Sequence, residues 1–196
     1  MNKLIATGAV ALVAVSVFVG QSIVRAEDGE VVGEAPKTPA WMAKTEQHAA
    51  LAKSVGEFDV AVEMYWPGGK VEKAAATAKR EMILNGFYLR EVFSMKTPNF
   101  TFEGIATAGY DTVRKKYVST WLDNSSPVMD IGYGDMKDGK IVMTSTSPNH
   151  ITGKLEGKKT VTENLTPDSW VSTFYNVAAD GTETKWMQLS YTRKGA

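Results

Sequence analysis

The chain has no cysteine and only two histidines among its 196 residues. The lack of cysteine excludes disulfides, thiolate metal sites, a cysteine nucleophile and lipid attachment to a cysteine. Two distant histidines give poor support to a zinc site, which needs about three protein ligands. A domain without disulfides or zinc depends on its hydrophobic core, and this chain is long enough to bury one.

The chain also lacks an excess of charge of either sign, with 22 basic and 22 acidic residues. No basic surplus is available to hold a phosphate backbone, which argues against nucleic acid as a partner. Neither a Gly-x-Ser-x-Gly nucleophile elbow nor a glycine-rich phosphate loop occurs. The sequence therefore predicts no catalytic residues, no metal ligands and no cofactor.

One long apolar run, from Leu4 to Val19, lies at the N-terminus. Lys3 before it and the Val24–Ala26 segment after it are typical of a secretory signal peptide over residues 1–26. An uncleaved membrane anchor is the alternative, but the run is shorter than the roughly 20 residues of a transmembrane helix.

Removal of this peptide would leave a protein in the periplasm or outside the cell, with no stable membrane insertion. It would leave 20 basic residues against 22 acidic ones, a net charge of −2. Residues 27–37 are acidic, contain glycine and proline, and predict a flexible spacer. Residues 38–196 then form a single domain.

One helix is predicted at the start of this domain. Thr38 is typical of an N-cap, Pro39 of the first helical position and Gly56 of a helix end. We expect the helix to run to about Val55 and to pack against the rest of the domain or close one end of it. The side that would make this contact comprises Trp41, His48, Leu51 and Val55.

From Gly56 onward, apolar and polar residues alternate with the period of two that indicates β-strands. Asn85-Gly86, Asp138-Gly139 and Asp180-Gly181 are typical of tight hairpin turns. About ten strands joined mostly by short turns predict an all-β fold. We expect an antiparallel up-and-down barrel of about ten strands, with a sandwich as the alternative.

The turn at Asn85-Gly86 sets a register that can be checked. It places Arg80 opposite Glu91 and Glu81 opposite Arg90, and these two pairs of opposite charge favour a strand over residues 71–84. The alanine-rich centre of that segment favours a helix by propensity alone.

Two further turns predict cross-strand pairs. Asp180-Gly181 would place Tyr175 opposite Trp186, and a weaker turn at Glu156-Gly157 would place His150 opposite Glu163. If that second pair forms, His150 is a surface hairpin residue.

The hairpin from Phe102 to Asp123 carries a row of small residues on its first strand, namely Gly104, Ala106 and Ala108. Pairing Tyr110 with Tyr117 places Ala106 opposite Trp121 and sets the small row on the face of the Trp121 side chain. The row could leave room for a ligand beside an aromatic wall or for the Trp121 indole itself. The second interpretation is favoured, because aromatic residues usually belong to the core.

This pattern resembles the bacterial domain-of-unknown-function family 1579 over about residues 44–194. The residues that carry the resemblance are His48, Leu51, Gly56, Phe58, Asn85-Gly86, Phe102–Gly104, Gly109–Asp111, Tyr117, Trp121, Asp123 and Tyr191–Arg193. The resemblance implies a calycin-like barrel, related in shape to lipocalins and fatty-acid-binding proteins. It implies no activity, because the family has none agreed.

Two positions depart from the family pattern. Phe58 stands where lipocalin-like proteins have tryptophan, and Phe87 stands where the family often has arginine after the turn glycine. Arg90 is a candidate substitute for that arginine.

These observations favour an exported lipocalin-like barrel that binds a small, partly apolar ligand. The alternatives are an enzyme or haem-binding barrel that uses His150 or the Arg80–Glu91 pair, and an interaction module with a filled core. The Arg80–Glu91 pair could anchor a polar head group inside the barrel, although an ion pair at its rim is favoured. The candidate ligand-binding residues are Arg80, Arg90, Glu91, Tyr110, Tyr117, Trp121 and His150.

Overall fold

The computed structural model describes residues 38–149 and 152–195. The predicted signal peptide, the acidic spacer and His150 lie outside the described residues. The ten strands of the described chain are β1 (Gly56–Tyr65), β2 (Val71–Ile83), β3 (Tyr88–Lys96), β4 (Thr101–Asp111), β5 (Lys116–Asp123), β6 (Ser126–Lys137), β7 (Lys140–Pro148), β8 (Leu155–Glu163), β9 (Ser169–Val177) and β10 (Glu183–Arg193).

Each strand pairs antiparallel with its neighbours in sequence, and β10 pairs with β1 to close the barrel. The predicted up-and-down calycin-like barrel is thus confirmed. Closure leaves the sheet without an unpaired edge. Among the described residues, no helix has the length and apolar character needed to cross a membrane.

The predicted register around Asn85-Gly86 is confirmed. Arg80 lies opposite Glu91, and Glu81 opposite Arg90. Asn85 and Gly86 both have positive φ, as a type I′ turn requires. The segment 71–83 is therefore a strand despite its alanine content, because pairing on both sides overrides helix propensity.

One predicted pair and one predicted turn are wrong. Tyr175 faces Lys185, because a β-bulge between Lys185 and Met187 shifts the register. Glu156 and Gly157 do not form a turn; they lie within β8, opposite β7.

The connection between β7 and β8 instead begins at Asn149, whose backbone carbonyl accepts the Gly153 N–H at 2.8 Å. Glu163, the predicted partner of His150, lies opposite Val171 and forms an ion pair with Lys140.

The predicted long helix is also wrong. A 3₁₀ turn (Ala40–Met42) is followed by a short helix α1 (Glu46–Ala52), because Thr45 starts a new helix. His48 Nδ1 accepts the Thr45 backbone N–H at 3.0 Å, which completes a capping box. Only His48 and Leu51 of the predicted packing side are buried.

The barrel core has two parts. The larger cluster is formed by β1, β2, β3, β9 and β10 and includes Phe58, Trp170 and Tyr191. The smaller cluster joins Leu51 of α1 to Leu89 and Tyr117, and α1 contacts β3 and β4. The helix therefore packs against the barrel at the end where β3 begins and β4 ends. The predicted contact between helix and barrel is confirmed, although the helix is shorter than predicted.

Candidate functional site

Side chains that point into the barrel are packed differently on its two sides. On β1 and β3 the inward residues Phe58, Val60 and Phe93 are at most 4% exposed. On β5 and β7 the inward residues Ser119 and Ser145 remain only half-buried. Because the barrel is closed, the exposed surface of these inward side chains faces the interior or one of its two ends. This less densely packed side of the interior is the candidate site.

A polar cluster lies at the boundary between this side and the packed core. The Nε of Arg80 lies 3.2 Å from Oε2 of Glu91, and Tyr191 donates its hydroxyl hydrogen to Oε1 of Glu91 at 3.0 Å. The Arg80 guanidinium stacks 4.5 Å from the Trp170 ring centroid. The Arg80 and Glu91 side chains are only 14% and 10% exposed. The favoured rim placement of this pair is therefore wrong, and the pair lies in the interior.

Burial dominates the electrostatics of this cluster. It raises the pKa of Glu91 and lowers the pKa of Arg80, and their mutual attraction offsets part of each shift. The pKa of Tyr191 is raised well above its usual value, first by burial and then by the adjacent Glu91. The hydroxyl therefore remains a neutral hydrogen-bond donor at physiological pH.

The hydrogen-bonding capacity of Arg80 is largely unused. Its Nε is buried without a hydrogen-bond partner, and its guanidinium donates no hydrogen bond to a described residue. A guanidinium carries five N–H donors and seldom stays buried with all of them unpaired. The Arg80 guanidinium can therefore donate hydrogen bonds to a carboxylate or another acceptor of a ligand.

Glu91 and Trp121 belong to a row of residues at one level of the sheet. Glu91 lies opposite Ala106, Ala106 opposite Trp121, and Trp121 opposite Asp130. Oδ1 of Asp130 is buried without a hydrogen-bond partner. Arg80, opposite Glu91, begins this row with a donor that lacks an acceptor, and Asp130 ends it with an acceptor that lacks a donor. The small side chain of Ala106 lies in the middle of the row.

The small row on β4 makes room for Trp121, as the favoured interpretation predicts. A methyl group at Gly104 would lie 2.3 Å from the Trp121 ring. The indole stacks with Phe102 at 6.3 Å between centroids, and its N–H donates to Asp123 at 2.8 Å. The ring lies over Gly104, and Ala106 is half-buried.

Replacement of Gly104 by alanine should displace the Trp121 ring. We expect a loss of about 1–3 kcal/mol in the free energy of unfolding, because overpacking forces the ring from its position. Urea unfolding followed by tryptophan fluorescence would measure it. Ala108→Ser on the same row is the control and should cost less than about 1 kcal/mol; equal stability of Gly104→Ala and the parent would contradict the packing shown.

The other predicted site residues lie elsewhere. Tyr110 and Tyr117 pack together beneath α1, with 5.3 Å between centroids, and Tyr110 also contacts His48. Arg90 points to the outer face, where it pairs with Glu81. Among the predicted residues that the structure describes, only Arg80, Glu91 and Trp121 share the interior row. Sequence reasoning missed Tyr191, Trp170 and Asp130 as their partners.

The outer face of β5–β8 carries a shallow cleft around Tyr133 with several lysines. Each of Lys116, Lys140 and Lys159 has an acidic partner within 2.8 Å. The cleft therefore has little unpaired positive charge with which to hold an anion.

Comparison with known proteins places the chain in a family. Residues 43–193 match the model of the family described as "Protein of unknown function (DUF1579)". The chain belongs to this family. The resemblance seen in the sequence is thereby confirmed over nearly the same range. No curated protein matches the chain.

Two solved structures share the fold of this DUF1579 member. The S-type phycobiliprotein lyase CPES from Guillardia theta has a TM-score of 0.54 at 11% identity, covering 76% of this chain and 93% of its own. Rv2717c from M. tuberculosis has a TM-score of 0.52 at 8% identity, covering 74% and 96%. At these identities the likeness concerns the fold alone.

Proposed function

We propose that the protein is an exported barrel that binds a small, partly apolar ligand in its interior. The observation that carries this proposal is the half-buried set of inward-facing side chains on β5–β8, in a barrel whose other side is tightly packed. Ligand sites in proteins are mostly apolar with a few placed polar groups. The inward residues of this side combine the apolar side chains of Trp121 and Met143 with the polar side chains of Ser119, Ser145 and Thr160.

Arg80 is the proposed anchor for a polar group of the ligand. Its Nε is buried beside Glu91 without a hydrogen-bond partner, and its stacking on Trp170 fixes the guanidinium plane. A ligand acceptor atom would supply the hydrogen bonds that the described protein does not. Trp121 and Phe102 would contact the apolar part of the ligand.

The proposal includes export, with a signal peptide over residues 1–26 and a spacer over residues 27–37 ahead of the domain. Expression in a bacterial host and mass measurement of the protein from the periplasmic or extracellular fraction would test it. A mass lacking residues 1–26 is the expected result. A protein of full-length mass held in the membrane fraction would contradict it.

Filling the interior should block binding. Ser145 points inward and Thr146, the next residue of β7, is exposed on the outside. We expect Ser145→Phe to weaken the uptake of a neutral fluorescent probe such as N-phenyl-1-naphthylamine by about tenfold, ~1.4 kcal/mol. Thr146→Phe adds the same ring on the outer face and should leave uptake unchanged.

Native mass spectrometry of protein purified from its own host gives an independent measurement. A small molecule that stays with the barrel, and is lost in Ser145→Phe, is the expected result. If no species is bound and no apolar probe enters the parent protein, the interior is filled and the chain serves instead as an interaction module.

A further inference from the structure

Asp130 is an interior carboxylate that the packing of the barrel does not explain. It lies on β6 directly opposite Trp121, so its side chain points inward with the indole. Its neighbours on this face confirm the direction: a methyl group at Gly132 would meet Ser119 at 3.3 Å and Ser145 at 3.7 Å. The carboxylate therefore belongs to the loosely packed side of the interior.

A break in the β5–β6 ladder precedes this residue. Trp121 pairs with Asp130 but Asp123 pairs with Ser126, so that residues 127–129 bulge out of the ladder. Val128 and Met129 are consequently exposed, while Asp130 returns to the inner face. Bulges of this kind re-aim the side chain that follows them and are frequent beside functional sites.

No residue in the described part of the chain bonds to this carboxylate. Oδ1 is buried and accepts no hydrogen bond, and no cation of the described residues lies within ion-pair distance. Lys158, the other interior cation on this side, bonds Glu156 at 2.5 Å and Asn176 at 2.7 Å. A buried acceptor without a donor is costly, which makes a bound donor favourable at this position.

We propose that Asp130 is a ligand-binding residue that accepts a hydrogen bond from an O–H or N–H group of the ligand. This inference rests on the proposed function and adds the chemical class of the ligand. The ligand has a compact, preferably aromatic body, with an acceptor group on the Arg80 side and a donor group on the Asp130 side. A hydroxylated aromatic acid is the simplest molecule of this class.

The geometry of the row supports two anchoring points rather than one. Four strand-to-strand steps of about 4.8 Å separate Arg80 from Asp130 along the curved sheet. The two side chains thus reach into the interior from different sides. Ala106 lies between them, and the Trp121 ring lies over Gly104 instead, where it offers an aromatic wall.

Calorimetric titration of the exported protein with benzoate and 4-hydroxybenzoate would test this assignment. Both probes carry the acceptor, but only the second carries the donor. We expect 4-hydroxybenzoate to bind about tenfold more tightly, as a hydrogen bond to a charged group implies. Asp130→Ala should remove this advantage, so that the variant binds the two probes with affinities within about twofold of each other. Asp135→Ala, on the outer face of the same strand, should preserve the advantage.

A measurement on the parent protein alone keeps the inference testable if Asp130→Ala does not fold. The probe 4-methoxybenzoate has the same ring oxygen without its hydrogen, and it should bind no better than benzoate. The inference is overturned if the hydroxyl brings no gain in affinity, if the methoxy probe keeps the gain, or if the gain survives in Asp130→Ala.

Uptake of the neutral naphthylamine probe separates the two proposals. Uptake without a hydroxyl effect overturns the role of Asp130 alone, and no uptake of any probe overturns both.

Discussion

Arg80→Met is expected to lower the free energy of unfolding by about 3–5 kcal/mol, because it leaves the Glu91 carboxylate buried without its cation. The methionine side chain keeps most of the buried volume, so the loss reports chiefly on charge. Arg90→Met is the matched control on the neighbouring strand. Its pair with Glu81 is exposed, and such a pair contributes at most about 1 kcal/mol. Urea unfolding of both variants measures the difference.

The loss in Arg80→Met should depend on pH. Burial raises the pKa of Glu91 above its ordinary value of 4.5, and removal of the nearby cation raises it further. A carboxyl whose folded-state pKa is raised disfavours the folded state as pH rises through that window. The deficit of Arg80→Met relative to the parent should therefore shrink toward pH 4.5 and grow toward neutral pH. A deficit as small as that of Arg90→Met at neutral pH would show that the pair is solvated.

Local sequence signals were sufficient to predict the β2–β3 hairpin of this barrel. The type I′ turn at Asn85-Gly86 fixes Arg80 opposite Glu91, because a two-residue loop leaves one register in which the apolar faces match. The same reasoning fails at Tyr175, where a bulge after Lys185 changes the count of residues by one. Nothing in the local sequence marks that bulge, which bends the strand and shifts its pairing by one residue.

The start of the domain shows a different limit. Thr38-Pro39 and Thr45 are both acceptable helix starts, and the choice depends on which cap is completed by its surroundings. His48 bonds Thr45 and packs between Phe87 and Tyr110, so the tertiary contacts select the second start. Burial and the nearby Lys44 lower the pKa of His48, which keeps the neutral imidazole that the cap requires.

Only part of the candidate site could be predicted from the sequence, because some of its contacts depend on tertiary structure. Arg80 and Glu91 are paired by a hairpin, which register can supply. Tyr191 is 100 positions away in the chain and reaches Glu91 only because β10 closes onto β1. Asp130 is brought to the row through four successive strand pairs and a bulge that its own sequence, Pro-Val-Met-Asp, does not announce. Contacts that cross the interior depend on closure and curvature, and neither is encoded in a single turn.

Gly134→Ala is expected to cost about 3 kcal/mol or more, the upper range for overpacking, because the added methyl group would meet backbone rather than a movable side chain. It would lie 2.0 Å from the Val142 carbonyl oxygen and 2.7 Å from the Met143 Cα. β6 and β7 would have to separate at the strand pair that lines the candidate interior.

Gly132→Ala is the matched control two residues earlier on the same face. Its methyl group would first meet the Ser119 hydroxyl oxygen at 3.3 Å, which rotation of that side chain can relieve. We expect a cost below about 1 kcal/mol there, and the two variants should differ in melting temperature by several degrees, at about 2–4 °C per kcal/mol. Loss of probe uptake in Gly134→Ala but not in Gly132→Ala, at a temperature where both are folded, would place the bound molecule against the β6–β7 pair. Equal stability of the two variants would show that β6 and β7 do not approach as closely as the structure requires.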